Sequence, residues 1–294
     1  MNLLLLVNPI SGKGNNRKIA QEISTKITAQ GWQCQLVESQ SAHYFQEILP
    51  NFNLQGFTHI GIVGGDGTMH EVVNGLMDRP KALQIPLILF PCGSGNAFNH
   101  DLDCLTVPKA IDRLLAGQTR LIDLIHIKAS DKNLWAFNIA GYGLVGHINQ
   151  WAESNRWMGA IRYNLMAVLG ILKNTKFKAT VVVDDGMFEG DFCFVMVCNT
   201  IHTGKAMKIA PLAQLSDGLL DVLVVKHLPV WKLLALFPKI FSGTHLQAKE
   251  LVYLQAKSIK IEPLVQQIGN IDGEVTAYTP YQINVVENAL RVIC

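Results

Sequence analysis

The sequence predicts an α/β chain in two parts: an open, mostly parallel α/β domain first, then a C-terminal antiparallel β-sandwich. Three observations carry that expectation. Wholly apolar runs such as residues 3–7 alternate with stretches of helical periodicity, the pattern of buried parallel strands covered by helices. Beyond Leu121 strand-like segments dominate, punctuated by Asp-Gly turns. With 294 residues, 49% of them hydrophobic, the chain is long enough for two cores.

The elements follow in order. Residues 3–7 form a first strand. Ile19, Ile23 and Ile27 recur at helical spacing, and Gly31 is placed to end that helix. Residues 34–37 read as a second strand, and Phe45, Ile48 and Leu49 as another helix. Strands follow at 59–63 and 87–90, with helices around 70–77 and 108–115. This order defines a first domain over residues 1–122. Further on, strands are expected at 134–139, 179–184, 191–198, 219–225, 258–262 and 282–286, and helices at 156–172 and 229–241. Turn signals stand at Asp184-Asp185-Gly186, Ser216-Asp217-Gly218 and Asp272-Gly273. The second domain spans 123–294, its last residues being candidates to return to the first. With no clear linker, the two are expected to pack closely around a cleft.

Composition excludes some classes. Charged residues make up 16% and the formal net charge is +2. There is no basic run and no aromatic-basic interleaving, which argues against a nucleic-acid partner. Cys34, Cys92, Cys104, Cys193, Cys198 and Cys294 include no C-x-x-C pair, so free thiols in a reducing cytosol fit better than disulfides or zinc. The apolar run 3–7 has no basic flank before it and is too short for a signal peptide. No stretch reaches the ~20 uninterrupted apolar residues of a spanning helix. A cytoplasmic protein is expected. Its mean hydropathy of +0.22 leaves room for transient contact with a membrane.

The chemistry concentrates in Gly64-Gly65-Asp66-Gly67-Thr68, which follows an apolar strand and precedes a helix. Glycines let backbone N–H groups approach an anion, and a helix start adds its positive dipole end. Asp66 within that turn is placed to hold Mg²⁺ or accept a proton; its plainer role would be a helix cap. Two more polar loops follow strands of the same sheet: Asn8-Pro9-Ile10-Ser11-Gly12-Lys13-Gly14, which lacks the Walker A spacing, and Pro91-Cys92-Gly93-Ser94-Gly95-Asn96. Ligands of open parallel sheets bind beyond the carboxyl ends of the strands, so three such loops make one nucleotide site.

In this order, Asn8-Pro-x-Ser-Gly12, Gly64-Gly-Asp-Gly-Thr68 with Glu71-Val-Val-Asn-Gly75, Pro91-x-Gly-Ser-Gly-Asn96, Ala210-Pro-x-Ala213, Ser216-Asp-Gly-Leu-Leu-Asp221 and Asp272-Gly-Glu274 resemble the diacylglycerol kinase catalytic-domain family. That family includes bacterial lipid kinases and eukaryotic sphingosine and ceramide kinases. The resemblance covers nearly the whole chain. It implies a nucleotide domain related to NAD kinase and phosphofructokinase, a β-sandwich, ATP between them, and transfer of the γ-phosphate to a lipid hydroxyl. By position, Gly64, Gly65, Asp66, Gly67, Thr68, Met69 and His70 would cradle the phosphates, with Asn8, Ser39 and Ser94 as further nucleotide contacts. Glu274 matches the general base, and Asp272 and Asp66 match companions in the Mg²⁺ network. A second, structural Mg²⁺ would sit at Asp217 with the backbone carbonyls of Gln214 and Leu219.

The match departs from the bacterial pattern at Asn96-Ala97, where many members have Asn-Asp; Asp123 is placed to restore a carboxylate to the network. Residues 69–77 and Gly159-Ala-Ile-Arg162-Tyr163 look more like sphingosine kinases. Yet the acidic residue that receives the sphingosine amine aligns with Asn149, two residues after His147 and a helical turn before Glu153. Asn149 can hydrogen-bond an amine or hydroxyl but cannot ion-pair, so diacylglycerol and sphingoid acceptors both stay open. Trp151, Trp157, Met158, Leu165, Met166 and Leu169 suit an acyl pocket or a core. The apolar helix at 229–241, with Lys232 and Lys239, suits an anionic membrane surface, the sandwich or a second subunit in a homodimer. The alternatives to a lipid kinase are a kinase of a soluble acceptor such as NAD, and a non-catalytic lipid- or nucleotide-binding protein.

Overall fold

From Leu3 onward, the strand β1 (Asn2–Val7) carries only Leu and Val, and each of these residues is fully buried. Such a strand must lie inside a sheet covered on both faces. In the computed structural model it pairs in parallel with β2 (Gln33–Glu38) on one side and β3 (His59–Gly64) on the other. β3 pairs in parallel with β4 (Leu87–Pro91). The structure describes residues 1–12, 14–80, 85–129, 132–155, 158, 162–204, 207–278 and 280–294. Lys13, Trp157 and residues 159–161 lie outside these, as do the side chains of Glu153, Arg162 and Tyr163.

The chain divides into two compact units, Met1–Ile122 with Asn288–Cys294, and Asp123–Glu287. In the first, α1 (Asn16–Ala29) buries Ala20, Ile23 and Ile27 at helical spacing, as the periodicity predicts. The short α2 (Tyr44–Ile48) buries Phe45. α3 (Asp66–Met77) starts four residues earlier than the expected 70–77, so Asp66 stands in its first turn. A second short helix, α4 (Ala97–Asp101), precedes α5 (Val107–Ala116). Thr106 caps α5 by accepting the Lys109 N–H at 3.3 Å, Pro108 occupies its first turn, and Gly117 ends it in the left-handed region.

β5 (Thr119–Ala129) leads from the first unit into the second. There β6 (Lys132–Ala136) and β7 (Ile139–Gly143) replace the single strand expected at 134–139. The break is at Phe137-Asn138, whose N–H groups bond the Asp272 carboxylate instead of a neighbouring strand. The helix expected at 156–172 is found as α7 (Arg162–Lys173), and a further helix that the periodicity does not predict, α6 (Leu144–Ser154), stands before it. α6 starts directly at the end of an apolar strand, and Gly143 at φ 70° makes the change of direction. Cβ at that position would fall 2.4 Å from the Phe177 ring, so only glycine fits.

The strands β8 (Phe177–Val183), β9 (Gly186–Cys198) and β12 (Leu220–Lys226) form the antiparallel centre of this unit, with β7 on the other edge of β9. Before β12, β10 (His202–Thr203) and β11 (Met207–Lys208) form a small ribbon. Side chains of β9 and β12 alternate between two cores. Val195, Val197, Val222 and Val224 join one with Tyr142, Phe192, Ile259 and Tyr281. Met196, Cys198, Leu223 and Val225 face the other way, toward clusters that include the partly buried Leu236, Phe237 and Ile240 of α8 (Val230–Ser242). This is the two-residue period of a sheet covered on both faces. β13 (Leu251–Ala256) pairs with β12, and β14 (Ser258–Pro263) with β8. A hairpin of β15 (Ile268–Ile271) and β16 (Glu274–Tyr278) lies against β7.

The last strand, β17 (Tyr281–Ile293), is longer than the expected 282–286. Its first part pairs with β14; its end returns to the first unit, where Val292 pairs in parallel with Leu87. Among the described residues no helix is long and apolar enough to cross a membrane.

Candidate functional site

In the first unit, the loops after β1, β3 and β4 meet because these strands are neighbours. Backbone bonds tie them together: Asn8 N–H to Val63 O at 3.0 Å, and Cys92 N–H to Gly64 O at 2.9 Å. Asn8 Nδ2 donates to Thr68 Oγ1 at 3.2 Å, linking the first loop to the start of α3. Asn16, fully buried, donates to Asn8 O at 2.7 Å and to Ser11 Oγ at 2.7 Å, fixing the first loop from below. Gly65 and Gly93 pack backbone on backbone. A Cβ on Gly93 would lie 2.5 Å from Gly65 Cα, and one on Gly65 2.9 Å from Gly93 Cα. Two loops brought this close leave a cradle walled by main chain, with the first-turn N–H groups of Gly67 and Thr68 lacking intrahelical acceptors.

Asp66 does not project freely from this cradle. Its Oδ2 accepts the Ala97 N–H at 2.9 Å and its Oδ1 the Phe98 N–H at 3.3 Å, so it caps α4 and fixes the third loop. Asn96, at φ 51°, bonds Gly93 in both directions. Met69 and His70 are buried, and the Met69 N–H is bonded to Gly65 O at 3.1 Å; their part in the cradle is to anchor α3. Ser94 is exposed on the third loop, and Ser39 follows β2 with its N–H on Val7 O. Burial pushes the Cys92 thiol up to about 11, so it is protonated and unreactive at neutral pH.

The second unit holds a different construction at 272–274. Asp272 is buried in the left-handed region. Its Oδ1 accepts from Asn138 and Ile139 at 2.9 and 3.0 Å, and its Oδ2 from Phe137 at 3.1 Å. Asn270 Oδ1 accepts the Gly273 N–H at 2.8 Å. Asn149, buried on α6, donates its amide to Gly273 O. The turn is therefore held from three sides and delivers Glu274, half-buried at the start of β16, in a set position. Sequence reasoning named Asn149 for a head group; the structure places its Nδ2 on the main chain. The role of Asn16 carried no sequence signal, because it serves the backbone of a loop that it lies beneath.

The third group is the 214–221 turn. Asp123, buried, accepts the Gly218 N–H at 2.8 Å and donates its own N–H to Leu215 O at 2.7 Å. Asp217 is exposed and its Oδ1 accepts the Leu219 N–H. The predicted residues Asp123, Gln214, Asp217 and Leu219 thus converge on one turn. Asp221 ends the Ser216–Asp221 motif. It is fully buried, with Oδ1 taking the Tyr253 hydroxyl at 2.5 Å and Gln255 at 3.3 Å, while Oδ2 has no partner among the described residues. Burial raises its carboxyl above the usual range, and the charge of Asp217 adds to this. Among the described residues no three ligating side chains converge as a metal cage. A turn with spare carboxylate oxygens and backbone carbonyls still suits a hard, partly hydrated dication.

Residues 2–127 match the diacylglycerol kinase catalytic domain, and residues 138–294 match the YegS C-terminal NAD kinase beta sandwich-like domain. The chain belongs to the diacylglycerol kinase catalytic-domain family. It is 31% identical to a diacylglycerol kinase of Mycobacterium tuberculosis, over 98% of this chain and 93% of that protein. It is 27% identical to sphingosine kinase 1 of Arabidopsis thaliana, over 94% of this chain and 68% of the relative. Among solved structures, a diacylglycerol kinase from Bacillus anthracis superposes with a TM-score of 0.75 at 20% identity, covering 99% of this chain and 96% of that one. An NAD kinase from Archaeoglobus fulgidus in complex with ATP superposes at 0.54 and 12% identity, covering 100% and 94%. These last two likenesses speak for the fold: a parallel α/β unit followed by an antiparallel sandwich, as the sequence predicts.

Proposed function

We propose that this member of the family is an ATP- and Mg²⁺-dependent lipid kinase that phosphorylates a lipid hydroxyl. The observation that carries the reading is the main-chain cradle where Gly65 meets Gly93, in a chain whose relatives are named as diacylglycerol and sphingosine kinases. Bound ATP with Mg²⁺ supplies the phosphoryl group and offsets its charge. Gly67 and Thr68 N–H groups bind phosphate oxygens, and Asp66 keeps the third loop, with Ser94, in place beside them. Glu274 takes the proton of the acceptor hydroxyl on a carboxylate oxygen, while the hydroxyl oxygen attacks the γ-phosphorus and its bond to the bridging oxygen breaks, so that ADP leaves. Asp272 acts through its three amides, keeping the turn that presents Glu274. The 214–219 turn, braced by Asp123, would hold a structural Mg²⁺ through Asp217 and the carbonyls of Gln214 and Leu219.

Of the two lipid classes, a neutral glycerolipid such as diacylglycerol is favoured. At the position where an acid would pair with a sphingoid amine, Asn149 is uncharged and its amide is spent on Gly273. Burial, followed by the Lys173 charge, lowers the pKa of nearby His147, which favours its neutral form. Work at a membrane surface follows from the lipid substrate.

Labelled ATP offered with diacylglycerol, monoacylglycerol, sphingosine, ceramide and NAD tests this. Phosphorylation of diacylglycerol is expected; transfer to NAD alone overturns the reading. Glu274→Gln should lower transfer by at least about a hundredfold, the scale of a lost general base, with the melting temperature unchanged. Full activity in that variant would remove Glu274 as the base.

A further inference from the structure

α8 has two apolar faces, and only one is used. Val230, Leu233, Leu236, Phe237 and Ile240 pack on the second unit's clusters. The opposite stripe, Trp231, Leu234, Ala235, Pro238 and Phe241, is exposed, with Trp231 at 66%. Spacings of three and four place these five on one side of the helix. Leu212, 60% exposed, lies next to Pro211, which packs on Gly243 at the C-terminal end of α8. At 13 residues, about 20 Å, α8 is too short to span a bilayer. Exposed apolar stripes of this size mark an interaction surface.

Charge decides the occupant. α8 contains Lys232 and Lys239 and no acid. Residues 226–250 hold four lysines against one glutamate, Glu250. That excess of three is greater than the +2 of the entire chain. Glu250 is already paired with Lys232 at 2.6 Å. An isologous contact between two copies would set this positive segment against itself. An anionic lipid surface complements it: the stripe enters the headgroup boundary, Trp231 sits at the interface, and the lysines meet lipid phosphates. α7, which packs on α8, adds the exposed Leu165, Leu169 and Leu172 and ends in Lys173.

We propose that the outer stripe of α8 is the surface by which this chain docks on an anionic membrane, so that lipid substrate is taken from the bilayer and not from solution. The proposal rests on the lipid-kinase reading for its purpose but is tested without turnover.

The experiment is flotation of the full chain with vesicles of phosphatidylcholine alone and of phosphatidylcholine mixed with phosphatidylglycerol. Alongside run the triple variant Trp231→Ser, Leu234→Ser, Phe241→Ser and the pair Lys232→Gln, Lys239→Gln. The wild type should bind the anionic vesicles, with binding reduced by high salt. The triple variant should bind at least about tenfold more weakly, and the pair should lose most of the preference for anionic over neutral vesicles. Because the stripe is exposed, melting temperatures should match the wild type. Transfer to diacylglycerol in vesicles should fall with binding, while transfer to a dispersed short-chain diacylglycerol stays within about twofold. Equal vesicle binding by wild type and triple variant overturns the proposal. So does a wild-type dimer in light scattering that the triple variant converts to monomer without change in vesicle binding, which would make the stripe a contact between copies. Stripe-dependent binding with no lipid phosphorylated in any format would sustain the surface and refute the kinase reading.

Discussion

At the scale of single residues, the acidic side chains divide by what they hold. Asp66, Asp123 and Asp272 all spend carboxylate oxygens on backbone N–H groups. Bonds of this charged kind are worth about 1.5–3 kcal/mol each, so these residues set loop geometry before any ligand arrives. Glu274 has no such bond to a described residue, which suits a proton acceptor. Asn149 offers a sharp test of positioning against head-group recognition. Replacing it by Asp puts a carboxylate against the Gly273 carbonyl. Asn149→Asp should therefore lower kcat about tenfold or more on every lipid, sphingosine included, with KM little changed. If that variant gains activity toward sphingosine, Asn149 faces the acceptor and the positioning role is wrong.

Among the elements, the decisive feature is the approach of the turn before α3 to the loop after β4. The Gly-rich motifs were legible because the need for glycine is local: a strand end, a turn and a helix start lie within a few residues. The pairing of Gly65 with Gly93 was not, since it depends on β3 and β4 being adjacent. Gly93→Ala places a methyl group against Gly65 backbone, which cannot swing aside as a side chain would. Nucleotide binding, followed by calorimetry, should weaken at least tenfold, with about 1–3 kcal/mol of stability lost to the forced shift. Gly186→Ala, where the nearest atom is Val183 O at 3.4 Å, should change neither quantity. The helix at 144–154 was not legible for the same kind of reason. It follows an apolar strand without polar punctuation, and the sign that separates them is a left-handed Gly143.

For the molecule as a whole, the return of β17 makes the C-terminus part of the first unit. Leu290, Val292 and Ile293 are buried there, and Val292 pairs with Leu87 of β4, the strand that carries the third loop. Burying three such side chains is worth about 1.5–3 kcal/mol apiece, against a total stability of about 5–15 kcal/mol. A chain ending at Glu287 should therefore be largely unfolded or aggregated when expressed. A soluble 1–287 protein melting within a few degrees of the full chain would contradict this.

The sequence alone determined the fold class, the three loops at the strand ends and the acidic turns, because apolar periodicity, glycine and Asp-Gly signals act over a few neighbouring residues. The tertiary structure decided what those residues hold. Asp272 reaches amides more than 130 positions away at Phe137–Ile139, Asn149 holds the turn before Glu274 across a similar span, and Asp123 bonds Gly218. The physical reason is that a buried carboxylate or amide is satisfied by whatever donor the packing brings to it, and that partner is written nowhere in the local sequence.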